Sequence, residues 1–515
     1  KAMSSKAKLK IPKLKGIFNF KSPYDVWLPV LSGVMIILCH SPISLFPLAF
    51  ISLVPLLVSI RKEGLYNSFI KGLISGVVGY LGLIYWVIVA MNRYGGIDIF
   101  TSIAIMLLLV LYMALYVGIF SCIVTFLQQK YLFPLYLSAP FVWVLLEYLR
   151  GFFLSGFPWA LMAYSQHNFL YFIQVASITG VYFISFLIIA VNCIFYYVWT
   201  EKRPPVVYSA VVTILIISSI IYGVLKLNDH KQEEIRKVAI IQGNIGQDVK
   251  WDEKFKAKTV EKYIKMTVDH GNGCDLVIWP ETSLPFAFNM AKNIENLMKS
   301  LSVSINADII FGTVHQENGD KFYNSAYLIN RNGALMGFYH KVHLVPFGEY
   351  TPLKEYIPFL EKITVLGGSF SAGKTHNPVK SSMGNMGILI CYEGIFPHIS
   401  VDTVRRGAQV IINLTNDAWY DRTSAPFQHL TFYVFRAIET DRFILRAANT
   451  GISAIIDNRG RIIKKTNIFE DDVLKGDFSL SDKLTFYVRY GDWFMYVIAG
   501  VFLLFLLRFF KGSSK

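Results

Sequence analysis

Charged side chains are scarce in this chain. They make up 17% of its 515 residues, against 54% hydrophobic, a balance too apolar for an ordinary water-soluble domain. Acidic residues are the scarcer sign, 35 against 50 lysines and arginines, and the formal net charge is +15. Cysteine is rarer still, at five residues, which excludes a disulfide-built scaffold. His340 and His343 are close in sequence but have no second cluster to complete a tetrahedral zinc site. No metal, cofactor or nucleic-acid partner is expected. Repeats and low-complexity tracts are absent as well, which excludes solenoids and long disordered linkers.

What the chain has instead is apolar length. Seven stretches near the ~20 residues a bilayer requires precede residue 230, at about 26–42, 44–60, 69–91, 98–127, 131–149, 168–198 and 206–226, and an eighth lies at about 492–510. Seven lysines and no acid occur within residues 1–21, an arm suited to the cytoplasmic face and anionic head groups. No cleavable signal peptide is expected, because the first apolar run is followed at once by the second. Arg61 and Lys62, Lys130, and Lys202 and Arg203 fall in alternate connections, as the positive-inside rule requires. The expectation is a polytopic α-helical membrane bundle of about eight spans, with both termini cytoplasmic and residue 230 emerging outside.

Residues 231–485 then form an extramembrane domain between a membrane domain at 1–230 and a last helix and tail at 486–515. Short strands are expected at 237–242, 275–279, 308–313, 323–330, 386–391, 408–414 and 452–457, and helices at 252–270, 289–304 and 424–441. Alternation of this kind indicates a layered α/β fold. The segment 150–167 is too broken by Gly and Pro to span a membrane and is rich in aromatics, including Phe157 and Trp159. It reads as an interfacial loop, or as an apolar arm dipping into the outer leaflet. Glu147 and Arg150 beside it are costly next to lipid and are expected to pair with each other.

Three stretches carry chemistry. GILICYE at 387–393 is an apolar strand ending at Cys391. A lone cysteine is more often a small buried hydrophobe than a nucleophile, and the two other stretches change that balance. DLVIWPET at 275–282 is a strand that Pro280 closes just before Glu281, and YHKVHLVPFGEY at 339–350 sets Lys341 among aromatic and apolar neighbours. A strand-end carboxylate, amine and thiol supply a general base, an oxyanion donor and a nucleophile. Cys274 is the other cysteine outside the apolar stretches, and both are expected to be free thiols.

Glu281, Lys341 and Cys391, in that order and each at a strand end, resemble the triad of the nitrilase superfamily of carbon–nitrogen hydrolases. WPET, KVHLVPFGEY and CYE, with QGNI at 242–245 and NDAW at 416–419, are more specific and resemble the apolipoprotein N-acyltransferase family. The resemblance implies an αββα sandwich joined to membrane helices. It also implies a fatty acyl chain passed from a phospholipid to Cys391 as a thioester, then to the N-terminal amine of a diacylglyceryl-cysteine lipoprotein in a bacterial inner membrane, with the catalytic domain periplasmic. Glu349 and Glu393 match supporting carboxylates, a backbone N–H near Tyr392 is expected to join Lys341 in holding the oxyanion, and Trp251, Tyr350 and Trp419 match aromatics of a substrate cleft, though core packing explains aromatics equally. The long loop at 351–372 reads as a lid. The alternatives are a membrane-tethered amidase using water as acceptor, and a transporter or receptor with a degenerate sensor. The intact triad and the shortage of charge within the spans oppose the last.

Overall fold

The computed structural model describes residues 23–229, 234–247, 250, 253–319, 321–352 and 370–512. Apolar sequence builds the N-terminal part as helices: α1 (Tyr24–Cys39), α2 (Val54–Ser59), α3 (Leu65–Ile84), α4 (Trp86–Val89), α5 (Ile99–Tyr131), α6 (Leu135–Arg150), α7 (Leu170–Ile173), α8 (Ala176–Thr179), α9 (Val181–Glu201) and α10 (Val206–Leu227). Four of them, α3, α5, α9 and α10, are long and apolar enough to cross a membrane, and shorter apolar helices lie at Tyr24–Cys39, Phe46–Ser59, Leu170–Thr179 and Trp493–Arg508.

Two expected spans differ in form. The 44–60 stretch is a 3₁₀ turn at Phe46–Phe50 followed by α2, each with proline at its start, where the missing N–H costs nothing. The 168–198 stretch is broken at Gly180, whose φ is +72° and where a Cβ would lie 2.5 Å from the Tyr487 ring. Glycine suits both demands there, a left-handed φ and a close approach of the ring. α3 and α5 pack closely through small residues: a Cβ on Gly72 would meet Ser121 Oγ at 2.4 Å and Val117 O at 2.5 Å, the close approach that drives helix association in lipid.

The two ends of the bundle differ. At one end Arg61 pairs with Glu201, and the buried Lys71 ammonium donates to Asp25 and Ser59 O at 2.8 Å and to Glu63 at 3.2 Å. The other end meets the α/β part, where Arg93 pairs with Asp421 and the Ser424 N–H donates to Tyr85 Oη at 3.2 Å. Glu147 and Arg150 do not form the expected ion pair. Glu147 accepts the Met162 N–H at 2.8 Å, while Arg150 donates to Trp159 O at 3.1 Å and to the Tyr80 hydroxyl. The irregular backbone of 151–167 leaves buried polar groups in need of partners, and it takes up both side chains.

The α/β part contains β1 (Ile235–Gln242), α11 (Glu253–Gly271), β2 (Leu276–Ile278), β3 (Leu284–Ala287), α12 (Lys292–Ile305), β4 (Asp308–Glu317), β5 (Lys321–Ile329) and β6 (Leu335–His340). It continues with β7 (Val379–Lys380), β8 (Asn385–Ile390), α13 (Pro397–Arg405), β9 (Val410–Thr415), α14 (Ala425–Thr440), β10 (Ile444–Ala448), β11 (Ala454–Ile456), β12 (Ile462–Lys465) and β13 (Asp472–Ser479). α15 (Phe486–Tyr490) and α16 (Trp493–Gly512) close the chain. One sheet runs β13-β1-β2-β4-β5-β6 with β3 beside β4, and the other runs β12-β11-β10-β9-β8-β7. The central strands β1, β2 and β4 are parallel, as are β8, β9 and β10.

Alternate side chains decide the layering. Val238, Ile240, Ile278 and Ile310 face Ile388, Ile390, Ile412 and Leu445 of the other sheet in one core. Ala239, Ile241, Val277 and Phe311 turn outward onto α11 and α12. Leu389, Ile411 and Ile444 turn onto α13 and α14, and that core is continuous with the membrane helices. α14 is buried along nearly its whole circumference, and its buried Gln428, His429 and Arg436 are hydrogen-bonded to Trp159, Asp417 and the Ile395 carbonyl. The architecture is an αββα sandwich with one outer helical layer docked on the bundle.

Candidate active site

Three strand ends converge. β8 stops at Ile390, and Cys391 opens a 3₁₀ turn at Cys391–Ile395 with φ +52°, a backbone region that non-glycine residues seldom adopt. The Glu393 carboxylate holds this turn. Its Oε2 accepts the Ile390 N–H at 2.7 Å, and its Oε1 accepts the Val342 and His343 N–H groups at 2.7 and 3.1 Å and the Tyr339 hydroxyl at 2.8 Å. Every partner donates, the pattern an ionised carboxylate satisfies. Glu393 thereby ties the cysteine elbow to the segment that carries Lys341, and does not itself face the cavity.

Glu281 follows β2, where β4 crosses so closely that a Cβ on Gly312 would lie 2.6 Å from Pro280 O and Thr282 N. Lys341 follows β6, its N–H donating to Asn324 O at 2.9 Å. Its buried Nζ lies 2.8 Å from Glu349 Oε2 and 3.8 Å from Glu281 Oε1. Asn324 Nδ2 bridges the two carboxylates, donating to Glu281 Oε1 at 2.7 Å and Glu349 Oε1 at 2.9 Å. Glu349 also accepts the Val345 N–H at 2.9 Å.

Burial and neighbouring charge set the protonation states. Burial pushes the Cys391 thiol up to about 12, with the Glu281 charge adding to the rise and Lys341 opposing it. Burial also raises Glu281 above the usual carboxylate range, with Lys341 opposing and Glu349 adding. For Lys341 burial disfavours the charge, yet the Glu349 and Glu281 carboxylates outweigh it and hold the ammonium above its ordinary range. The resting state is therefore a protonated thiol, a fixed ammonium and a carboxylate made more basic by its surroundings.

These groups open onto a cavity of about 570 Å³, within the range of small-ligand sites. Cys391, Glu281, Lys341, Asn324 and Glu349 line its polar part. Most of the rest is apolar, from the membrane helices and the 150–167 loop (Val87, Met91, Ile105, Leu108, Leu154 and Phe157 among others) and from Val345, Phe347 and Trp419 of the α/β part. The Tyr392 hydroxyl donates to Gly156 O at 3.2 Å, fastening the loop to the elbow. Gln428 Oε1 on α14 accepts both the Trp159 indole N–H, at 2.7 Å, and that of Trp86, at 3.3 Å.

Of the aromatics expected at the substrate cleft, Phe157, Trp159 and Trp419 line the cavity and Tyr350 does not. The Tyr350 backbone carbonyl instead accepts the Phe347 N–H at 2.8 Å. Trp251 and the greater part of the expected lid at 351–372 lie outside the described residues. Cys274 and Cys391 are both free thiols, and Cys274 is buried.

Three residues escaped the sequence reading. Asn324 is a buried amide in β5, beside the buried Ser325 and within a mostly apolar and aromatic strand, a pattern that could have flagged it. Gln428 is hidden in a helix and found only through its partners. Lys250 is a buried lysine whose Nζ donates to Glu281 O at 3.0 Å. Burial lowers its pKa to about 8, against the pull of Glu281 and Cys391.

Residues 237–483 match the carbon-nitrogen hydrolase family, and residues 32–194 match the apolipoprotein N-acyltransferase N-terminal domain. The chain is 37% identical to apolipoprotein N-acyltransferase of Geobacter metallireducens over 501 residues, covering 95% of this chain and 96% of the relative. It is 33% identical to that of Methylococcus capsulatus, over 81% of this chain and 82% of the relative. It is 32% identical to that of Rickettsia prowazekii, over 87% and 90%. Matches to both halves, over nearly full length, place the chain in the apolipoprotein N-acyltransferase family of the nitrilase superfamily.

Proposed function

We propose that this protein moves a fatty acyl chain from a phospholipid to the N-terminal amine of a diacylglyceryl-cysteine lipoprotein, through a thioester on Cys391. The observation that carries this reading is the continuous cavity, polar at Glu281, Lys341 and Cys391 and apolar where α4, α5 and the 150–167 loop wall it. An acyl chain fits the apolar part while its ester carbonyl reaches the polar part. Glu281 takes the thiol proton as sulfur attacks the carbonyl, since a thiol held near 12 is not ionised beforehand. Lys341, with a backbone N–H near Tyr392, stabilises the oxyanion. The carbon–oxygen bond breaks, and Glu281 returns the proton to the departing lysophospholipid. In the second half the lipoprotein amine attacks the thioester, Glu281 accepts its proton, and the Cys391 thiol is regenerated.

The chain is read as eight passes, with Tyr24–Cys39, Phe46–Ser59, α3, α5, α6, α9, α10 and α16 each crossing once. The basic end near Arg61 is then cytoplasmic, together with both termini, and the α/β part is periplasmic at a bacterial inner membrane. The segments 1–230, 231–485 and 486–515 are the membrane domain, the catalytic domain and the last helix with its tail.

Reconstituted protein given phospholipid and a synthetic diacylated lipopeptide should form an N-acylated lipopeptide and a lysophospholipid in equal amounts. Release of free fatty acid with no amide product would make the protein a hydrolase using water.

A further inference from the structure

A second cavity, of about 370 Å³, shares no wall with the first. It lies between α8, the last turn of α10 and the segment leading into α16. Lys226, Lys483 and Arg489 reach it from separate parts of the chain, with Asp441, Tyr222 and Ser177. Asp441 is already neutralised, its Oδ1 accepting from Arg459 Nη1 and, at 3.1 Å, from Asn458 Nδ2. The exposed Arg489 guanidinium has no ion pair among the described residues. The Ser177 and Tyr222 hydroxyls bond each other at 2.8 Å, adding a fixed dipole to the wall.

The position of this cavity matters as much as its charge. Phe486 contacts Tyr490 and Trp493 at ring separations of 4.5 and 5.6 Å, and Trp493 Nε1 donates to Ile178 O at 2.8 Å. Aromatics gathered where two apolar helices leave the α/β part form an interfacial belt. Just below, Ile217, Ile221 and Leu225 present an exposed apolar face on α10 that runs up to Lys226. A basic cavity at head-group height, above a bare apolar helix face, matches a molecule with an anionic head and alkyl tails.

We infer that this cavity binds the phosphate of an anionic phospholipid in the leaflet next to the α/β part, as a bound lipid distinct from the acyl donor. A zwitterionic head group would set its own ammonium against the Arg489 guanidinium and bind less well. The inference rests on the chain being embedded in a membrane and is independent of thioester chemistry at Cys391.

The test is site-mapped photolabelling in nanodiscs with a phosphatidylglycerol carrying a diazirine in its tail. Wild-type protein and Cys391→Ser should both be labelled on residues 214–226 and 484–490. In Lys226→Gln/Arg489→Gln that labelling should fall about 25-fold, at about fivefold for each charge removed beside an anionic lipid, while labelling of α5 stays unchanged. Lys226→Arg should keep the label, and Lys483→Gln, at an exposed position, should lose about fivefold if the double variant is poorly folded. Undiminished labelling in both the double variant and Lys483→Gln would overturn the inference. So would equal labelling by a phosphatidylcholine probe, or loss of the label to millimolar inorganic phosphate, which would make this a site for free phosphate.

Discussion

Replacing Glu281 with Gln removes the proposed base and leaves the cavity's shape intact, and its effect should depend steeply on pH. With the thiol held near 12, the thiolate fraction is about 10⁻⁵ at pH 7 and about 10⁻² at pH 10, and only the thiolate attacks. Acylation of Glu281→Gln should therefore be about 10²–10⁴ slower than wild type near neutrality and should rise about tenfold per pH unit. Removing the Glu281 charge also lowers the thiol's pKa, since that charge helps to raise it, so recovery begins earlier than these fractions imply. Lys341→Met should lose about 10²–10³ without that recovery, because the missing charge acts on the intermediate while Glu281 still takes the proton. On the acid side, wild type should show a limb from Glu281, above its ordinary 4.5. Single-turnover acylation from pH 6 to 10, followed by intact mass, reads all three profiles. Equal losses with no pH slope in either variant would refute this division of roles.

Lys250, whose ammonium discharges near pH 8, should give wild-type acylation an alkaline limb there. That limb should be absent in Lys250→Met and moved beyond the measured range in Lys250→Arg; an unchanged limb in Lys250→Met would assign it elsewhere. Gln428→Leu leaves the buried Trp159 indole N–H without its acceptor, which should cost about 1–3 kcal/mol and lower the melting temperature in detergent, and an unchanged melt would show that the clamp is redundant. For topology, Cys274 is too buried to label. The exposed positions Lys475→Cys and Arg203→Cys should report instead, with an impermeant thiol reagent modifying only the former in spheroplasts and the reverse pattern inverting the orientation.

The positions of Glu281 and Cys391 were legible because each sits where an apolar strand meets a turn, and the pattern of GILICYE and DLVIWPET states both strand and terminus. The long helices were legible from hydropathy alone. The break at Gly180 was not, because the ring packed against that glycine is Tyr487, distant in sequence. β6 escaped notice because its buried and exposed residues do not alternate cleanly, and β7 because it is two residues long. Tyr350 was expected in the cleft from the family resemblance, yet the turn at Pro346 to Tyr350 brings Glu349 to the cavity wall and leaves Tyr350 out of it. Asn324 and Lys250 show the deeper limit. Local pattern identifies reactive groups, whereas the side chains that hold them are defined by contacts across tens of residues.

The central claim is a covalent acyl group on Cys391. Purified protein mixed with phospholipid, and with no acceptor, should gain one acyl chain by intact mass, located to the Cys391 peptide, labile to hydroxylamine and transferred when a diacylated lipopeptide is added. Cys391→Ser should fold and insert normally and gain nothing. An acyl adduct on any other residue, or full turnover by Cys391→Ser, would contradict the account.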